Sequence, residues 1–336
     1  MSKIGVIILA AGKGTRMKSE KPKVCFDLAG KSLVQRVVDT SLKIKAELIG
    51  VVVGFKKEMV VYTISISSST VLQFITQESQ NGTGDAVKCC KEAFKDFDGV
   101  VYILCGDVPL LKAETLQNMY DKHISSGANC TVLTMFLDDP DKYGRIVRDN
   151  KGQVREIIEF KDASDEIRKI NEINTGIYCF NSKDLFFALD NVTNNNAQNE
   201  YYLTDVLKIM YEANLKIESV VLKDIAEATG VNSQVQLAEL EKDHYTAILK
   251  HWMDNGVSIE KPETVLIEDD VVIENDVYIS AFTKIKGCTV IGKNTFIGSH
   301  CVIIDSILEA GSRLEGMNVV KDYKGDLVLD WYESVF

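Results

Sequence analysis

The run Leu9-Ala10-Ala11-Gly12-Lys13-Gly14-Thr15-Arg16-Met17, followed by Pro22-Lys23-Val24, leaves an apolar stretch and enters a loop of small residues with two glycines. Small residues let a ligand approach the backbone, whose N–H groups can contact phosphate oxygens. Lys13, Arg16 and Lys23 add cations, so the chemistry such a segment supports is holding a phosphorylated ligand and neutralising its charge. It is not a GxxxxGK[ST] loop, and the sixth position from Gly12 is Met17 rather than the Gly of a dinucleotide fingerprint. Asp107 follows the apolar run Val100–Leu104 and the Cys105-Gly106 turn. A carboxylate there is placed to hold Mg²⁺ against phosphates, because Mg²⁺ takes few protein oxygens and keeps waters. By its local sequence alone it reads equally as a turn or helix-capping Asp.

These residues need a scaffold, and the first half of the chain supplies an alternating one. Ile4–Leu9, Leu48–Val53, Val71–Ile75, Val100–Leu104 and Cys130–Phe136 are short apolar runs of the kind that form buried parallel strands. Lys31–Lys43, Gly84–Phe97 and Ala113–Ser126 have helical spacing between them. The alternation predicts an α/β, Rossmann-like domain with a mainly parallel sheet and helices on both faces. Ligands then bind outside the carboxyl ends of the strands, which places Leu9–Met17 and Cys105–Leu110 together. From 140 to 230 the pattern loosens. Arg145–Arg148 and Val154–Phe160 flank the hairpin signal Asp149-Asn150-Lys151-Gly152, and Ile173–Phe180 reads as a further strand. A long amphipathic helix is expected over Val235–Met253.

After Gly256 the texture changes. Ile267, Ile273, Ile279, Ile285, Ile291, Ile297 and Ile303 recur every six residues. Hexapeptide periodicity predicts a short left-handed parallel β-helix in which each isoleucine points into a prism core. The register breaks near Leu308, so the repeat is expected to stop near 305 and the tail from Asn318 to Phe336 not to repeat, with Trp331-Tyr332 as a cap. The expected division is a transferase-type domain over 1–232, a linking helix over 233–256 and the β-helix over 257–336.

Composition sets outer bounds. The chain has 336 residues, 46% hydrophobic and 26% charged, enough for a self-sufficient core. Its net charge of −11 argues against a nucleic-acid or anionic-membrane binder, though a local cation cluster can still hold a small anion. Only 4 His are present, so a His-rich metal site is not expected. The eight cysteines contain no CxxC pair and most lie in apolar runs, a usage that fits a reducing cytoplasm. No secretory signal and no membrane-length apolar run is present, which leads to the expectation of a cytoplasmic protein.

The loop and Pro22-Lys23-Val24 together resemble the nucleotide-binding signature of the sugar-1-phosphate nucleotidyltransferases, and within that family the N-acetylglucosamine-1-phosphate uridylyltransferases. Further motifs agree in order: Gln77, Gly82-Thr83-Gly84, Gly106-Asp107-Val108-Pro109-Leu110, Tyr143-Gly144-Arg145-Ile146, Glu159 with Lys161-Asp162-Ala163, Glu172-Ile173-Asn174-Thr175-Gly176, Asn194–Gln198, Glu200–Asp205 and Gly230-Val231-Asn232. The resemblance runs from residue 3 to 305. It implies transfer of uridylyl from UTP to N-acetylglucosamine 1-phosphate, with release of pyrophosphate. It implies that Leu9, Ala10, Ala11, Gly12, Gln77, Gly82, Thr83, Cys105, Gly106 and Asp107 bind the nucleotide. Gly144, Glu159, Asn174 and Asn232 would hold the sugar phosphate, Arg16 and Lys23 would be catalytic, and Asp107 and Asn232 would bind Mg²⁺. Read locally, Asn232 is only the cap of the helix that follows, and Gln77, Gly144, Glu159 and Asn174 are a surface residue, a hairpin glycine, an exposed charge and a strand-end asparagine. The alternatives are a relative acting on glucose 1-phosphate or dTTP, and an inactive assembly protein.

Four positions depart from the family pattern: Cys105 stands where Tyr is common, Asp85 where His is common, Phe160 in place of His, and Asn199 in place of Gly. They leave the phosphate and metal roles intact and bear on the sugar. The family's acetyltransferase half needs a longer β-helix with a catalytic His. His300 falls too early in the repeat for that role and reads as a solvent-facing rung residue, so no acetyltransferase activity is expected. A homotrimer through the β-helix, as in the family, is the expected assembly.

Overall fold

The computed structural model describes residues 2–66, 68–330 and the strand Ser334–Val335. Two compact units divide the chain: residues 1–26 with 32–233, and residues 27–31 with 234–336.

The first unit is built on β1 (Lys3–Leu9), β2 (Leu48–Val53), β3 (Val71–Thr76), β4 (Gly99–Cys105), β5 (Cys130–Phe136), β6 (Arg145–Arg148), β7 (Val154–Ile158), β8 (Glu172–Asn181) and β9 (Ile217–Val221). The strand order is β9-β5-β8-β4-β1-β2-β3, with the hairpin β6–β7 attached through β8. Every neighbouring pair along that order is parallel except those made by β8, which runs against both β4 and β5. The longer helices are α1 (Leu33–Lys43), α2 (Lys57–Thr63), α3 (Thr83–Lys88), α4 (Ala113–Ser126), α5 (Ser182–Asp190) and α6 (Asp205–Glu212), with a single turn at Asp165–Arg168.

Alternation within the strands divides the core. In β4, Val100, Tyr102 and Leu104 join the cluster on one face, while Val101 and Ile103 join the cluster on the other. Both faces are therefore covered, which is why these strands are apolar throughout rather than alternating with polar residues. Each such side chain contributes about 1.5–3 kcal/mol on burial. The start of α1 is set locally: the Ser32 hydroxyl accepts from the Gln35 N–H at 3.1 Å, a Ser-x-x-Gln cap.

The helix expected over Gly84–Phe97 is shorter than its pattern. Regular α-helix ends at Lys88. Beyond it, turns bonded Cys90 to Val87, Lys91 to Lys88 and Phe97 to Phe94 carry the chain. These turns, together with one helical-type bond from Phe94 to Cys90, still bury Cys90 and Phe94 beside Ala86 and Val87. The apolar spacing was a sound guide to burial and a poor one to helix length.

In the second unit, α7 (Gln234–Asp254) is followed by strands stacked in three parallel sheets, the faces of a β-helix. Ile267 pairs with Ile285 and Ile285 with Ile303 on one face; Ile273 pairs with Ile291 on the next, and Ile279 with Ile297 on the third. All the repeating isoleucines are buried. Losing any one side chain to alanine would be expected to cost about 2–5 kcal/mol. Leu249 of α7 belongs to the same apolar cluster.

The expectation that the repeat stops near 305 is corrected by the structure. Leu308 stacks on Ile291, Leu314 on Ile297, Val320 on Ile303 and Leu329 on Leu314. The step from Ile303 to Leu308 is five residues instead of six. A corner sheds one residue there while the next strand keeps the same face inward. The buried pairs Ser306/Leu308, Ser312/Leu314 and Asn318/Val320 carry the pattern on, each a small polar residue two before an apolar one. The tail from Asn318 therefore continues the stack through Val319–Lys321, Lys324–Gly325, Val328–Leu329 and Ser334–Val335. The expected cap at Trp331 and Tyr332 lies outside the described residues. His300 sits at a corner with φ 60°, its ring stacked on Phe282 at 5.0 Å, rather than on a strand.

Candidate active site

The carboxyl ends of four parallel strands stand level. Leu9 pairs with both Val52 and Cys105, and Val53 pairs with Thr76. The residues that follow, Ala10–Gly12, Gly54, Gln77 and Gly106–Asp107, therefore form one rim. Gly106 donates its N–H to the Leu9 carbonyl at 3.0 Å, which locks the Asp107 turn against the loop.

The glycines of the loop differ in kind. Gly14 has φ 61°, and a Cβ there would lie 2.7 Å from Lys23 Cβ. It is required by the fold, because it lets Lys23 close over the loop. At Gly12 a Cβ would meet nothing within 4 Å, and its φ is not left-handed. A methyl group at Gly12 would intrude only on a ligand. Gly12→Ala should leave the thermal midpoint within about 1 °C and raise the KM for nucleotide at least about fivefold. Gly14→Ala should lower both stability and turnover. Unchanged nucleotide KM in Gly12→Ala would remove that residue from the site.

Three predicted residues, Arg16, Lys23 and Asn232, meet beside Asp107. The Lys23 ammonium donates to Asp107 Oδ2 in a short contact and to Asn232 Oδ1 at 3.0 Å. Arg16 Nη2 donates to the same Asn232 oxygen at 2.9 Å. Val231 donates its N–H to the Asp107 carbonyl at 3.0 Å, which pins the 230–232 segment to the end of β4. Two oxygen side chains thus converge on one cation, here an ammonium. Among the described residues no group of three or more His, Cys, Asp and Glu could hold a metal. A Mg²⁺ here would have Asp107 and Asn232 as protein ligands and take its remaining oxygens from water and substrate, a coordination that suits that ion.

The residues expected to meet the base come next. Gln77 is buried, and its Nε2 donates to the Gly82 carbonyl at 3.1 Å and to Asp85 Oδ2 at 2.8 Å. Gly82 has φ 118°, and a Cβ there would lie 2.5 Å from the Tyr201 carbonyl oxygen. The stretch Asn194–Thr204, to which sequence reasoning gave no role, holds this corner. Tyr201 donates its N–H to the Asn81 carbonyl, Gly84 donates to the Tyr201 carbonyl, and Leu203 donates to Thr83 Oγ1 at 3.0 Å. The Thr83 hydroxyl therefore serves this anchor.

The residues expected to hold the sugar also meet. A Cβ on Gly144 would lie 3.5 Å from both Glu159 carboxylate oxygens, and Asn174 donates its N–H to the Gly144 carbonyl at 2.9 Å. Thr204 donates to Glu159 Oε1 at 3.2 Å, joining the anchoring stretch to this group. The Asn174 side chain is partly engaged within the chain: its Nδ2 donates to Tyr178 Oη at 2.7 Å and its Oδ1 accepts from Gly176 N–H at 3.0 Å, across the bulge in β8. The Cys105 thiol faces the Gly176 carbonyl at 3.5 Å. Burial pushes that thiol up to about 12, with Asp107 adding to the effect, so it stays protonated and unreactive.

Two groups of the Tyr143–Ile146 motif that were given no role of their own lie beside Gly144. Tyr143 is held above the usual phenol range chiefly by burial, then by the Asp107 and Asp141 carboxylates. Arg145 is fully buried. Its guanidinium donates to the carbonyls of Pro140, Asp141, Tyr143 and Arg168 and so moulds the loop that ends at Gly144.

Glu159 is held above the usual carboxylate range mainly by burial, reinforced by Asp205, Asp162 and Glu200 and opposed by the Thr204 hydrogen bond. A carboxylate accepts from sugar hydroxyls and a neutral acid does so poorly. Affinity for the sugar phosphate should therefore fall as pH drops through this raised value, above the range where an ordinary Glu titrates. Glu159→Gln should abolish that limb of the KM profile and leave the nucleotide KM unchanged.

Residues 5–259 match the family described as nucleotidyl transferase, and residues 270–305 match the bacterial transferase hexapeptide as six repeats. Among curated proteins, the bifunctional protein GlmU of Geobacillus sp. (strain WCH70) is 45% identical over 271 residues, 81% of this chain and 58% of the relative. The bifunctional protein GlmU of Clostridioides difficile (strain 630) is 44% identical over 265 residues, 79% of this chain and 57% of the relative. That of Listeria monocytogenes serotype 4a (strain HCC23) is 41% identical over 271 residues, 81% and 58% of the two chains. The matched region is thus under two thirds of each of these relatives. It takes in the loop, the Asp107 rim and Asn232 in one continuous family match, and the chain belongs to the nucleotidyl transferase family.

Proposed function

We propose that the chain is a UDP-N-acetylglucosamine diphosphorylase, transferring uridylyl from UTP to N-acetylglucosamine 1-phosphate. The observation that carries this reading is the meeting of Arg16, Lys23, Asp107 and Asn232 at the carboxyl rim of a parallel sheet. In the reaction, a phosphate oxygen of the sugar phosphate attacks the α-phosphorus of UTP in line. The new P–O bond forms as the bond to the bridging oxygen breaks, and pyrophosphate departs with that electron pair. The nucleophile is already an anion, so no general base and no protein nucleophile are needed.

The chain's part is to position and to neutralise. Leu9–Gly12 and Gly106 present backbone at the rim, Lys23 and Arg16 bring positive charge to the phosphates, and Gln77 with Gly82 meets the base. Gly144, Glu159 and Asn174 receive the sugar. Asp107 and Asn232 would hold Mg²⁺, which when bound supplies charge neutralisation of the phosphate oxygens. The reading places the enzyme in the cytoplasm, where its free cysteines remain reduced, and assigns the β-helix to a homotrimer.

The test is pyrophosphate release from UTP or dTTP, each with N-acetylglucosamine 1-phosphate, N-acetylgalactosamine 1-phosphate or glucose 1-phosphate, with and without Mg²⁺. UTP with N-acetylglucosamine 1-phosphate should be fastest and should require the metal. Faster release with glucose 1-phosphate or with dTTP would replace the substrate assignment. Release in none of the arms would overturn the transferase reading.

A further inference from the structure

We propose that Asp85 sets which base the nucleotide site accepts, by fixing the orientation of the Gln77 amide; this rests on the reading of Gln77 as the base contact. Gln77 follows the last residue of β3 and is buried at the rim, where Gly54 lies against both Ala11 and Gln80. A glutamine amide is two-faced: one end accepts, the other donates, and a half-turn exchanges them. Left free, it would suit a base of either polarity.

Here it is not free. The end bearing the nitrogen faces the Gly82 carbonyl at 3.1 Å and Asp85 Oδ2 at 2.8 Å. A carbonyl and a carboxylate can only accept, so both amide hydrogens must point at them and the half-turn is forbidden. Turning the oxygen toward two acceptors would break both hydrogen bonds and set lone pairs against each other in a buried place. The amide oxygen is left facing away from this pair, and among the described residues no donor reaches it. Asp85 is itself half-buried in the first turn of α3, beside Gly84, whose N–H is bonded to the Tyr201 carbonyl. Its carboxylate cannot easily swing away.

The Gln77 side chain therefore offers the base an acceptor and keeps its own donors turned away. A pyrimidine with a ring N–H at position 3, uracil or thymine, matches that oxygen. Cytosine presents an unprotonated ring nitrogen there, acceptor against acceptor. Asp85 is a positioning residue: it touches no reacting atom and acts through Gln77.

The test is calorimetric binding of UTP, CTP and N3-methyl-UTP, with sugar phosphate absent, to the unmodified chain and to Asp85→Asn and Asp85→Ala. Asparagine keeps the shape but can donate to the amide oxygen, so it permits the half-turn; alanine removes the constraint. The unmodified chain should prefer UTP over both CTP and N3-methyl-UTP by at least about tenfold. Both variants should narrow the UTP-to-CTP ratio at least about fivefold. Equal binding of UTP and N3-methyl-UTP to the unmodified chain, or an unchanged ratio in a folded variant, would overturn the proposal. So would a failure of the unmodified chain to bind UTP. A chain that binds UTP with this preference and releases no pyrophosphate with any sugar phosphate would overturn the transferase reading alone.

Discussion

Lys23→Ala and Asp107→Ala should each lower turnover at least about tenfold, equivalent to about 1.4 kcal/mol of transition-state stabilisation, while leaving the fold intact. Lys23 leads because of where its charge is held. Its ammonium is fixed by Asp107 and Asn232, not free at the end of a mobile stem. A charge held in place before substrate arrives needs no reorganisation when the leaving group develops its own, which is the condition under which such a group contributes most. Removing Lys23 takes away one of the two cations, with Arg16, that Asn232 gathers at this rim. Removing Asp107 takes away an anchor of Lys23 together with one of the two oxygens proposed to hold Mg²⁺. The measurement is steady-state pyrophosphate release, with circular dichroism to establish folding. The effect should fall on kcat more than on KM, because charge builds up in the transition state. Near-normal turnover in a folded variant would sink the assignment of that residue.

The second large effect is structural. Arg145→Met should destabilise the first unit by about 2–4 kcal/mol and raise the KM for sugar phosphate more than it lowers kcat. Burial of a guanidinium opposes its charge, and Arg145 is indeed held below the usual arginine range by that burial. Deleting the charge alone would therefore be tolerable. What is lost is geometry: one planar group bridges the carbonyls of Pro140, Asp141, Tyr143 and Arg168 at once. Methionine fills the volume and leaves those carbonyls without their donor. Arg145→Lys decides between charge and shape. It keeps the charge but concentrates its donors at a point, so it should rescue little. Full recovery of both thermal midpoint and KM by lysine would show that charge was the essential property.

The scaffold was legible where burial and local pattern coincide. The strands Leu48–Val53 and Cys130–Phe136 and the helix Ala113–Ser126 carry the bounds expected from their apolar runs. Legibility failed where one pattern serves two geometries. Cys90 and Phe94 are buried at helical spacing, and Phe94 is bonded back to Cys90 across one helical turn, yet the regular helix has ended at Lys88. In the β-helix, counting isoleucines by six lost the thread at Ile303. The fold conserves which residue faces inward, not the number of residues at a corner. Ser312 and Leu314 keep the small-polar-then-apolar signal after the slip, and that pairing could have revealed the later strands. β9 went unread because Ile217–Val221 is an edge strand whose apolar residues are interrupted by Glu218 and Ser219; of α6 only the start, after Thr204, was read.

At the site, the loop around Gly12 was readable from composition alone. The partnership of Lys23 with Asn232 was not, since nothing beside Asn232 marks it and proximity across such a separation is made only by the sheet. The constraint of Asp85 on Gln77 was likewise hidden, because it lies in the direction of two hydrogen bonds rather than in residue types.

The position of β8 has a kinetic consequence. It lies between β4 and β5, antiparallel to both, so β5 cannot take its place in the sheet until the chain through Asn181 has been made. The 230–232 segment must then come back to the end of β4 before Asn232 reaches Lys23. Contacts between residues this distant in sequence carry a large loop-closure entropy and form late. During refolding, the parallel core of β1, β2 and β4 can assemble from the first third of the chain. Ligand binding returns only with the last long-range closure, so recovery of activity reports on the completion of the whole first unit rather than on the appearance of its secondary structure.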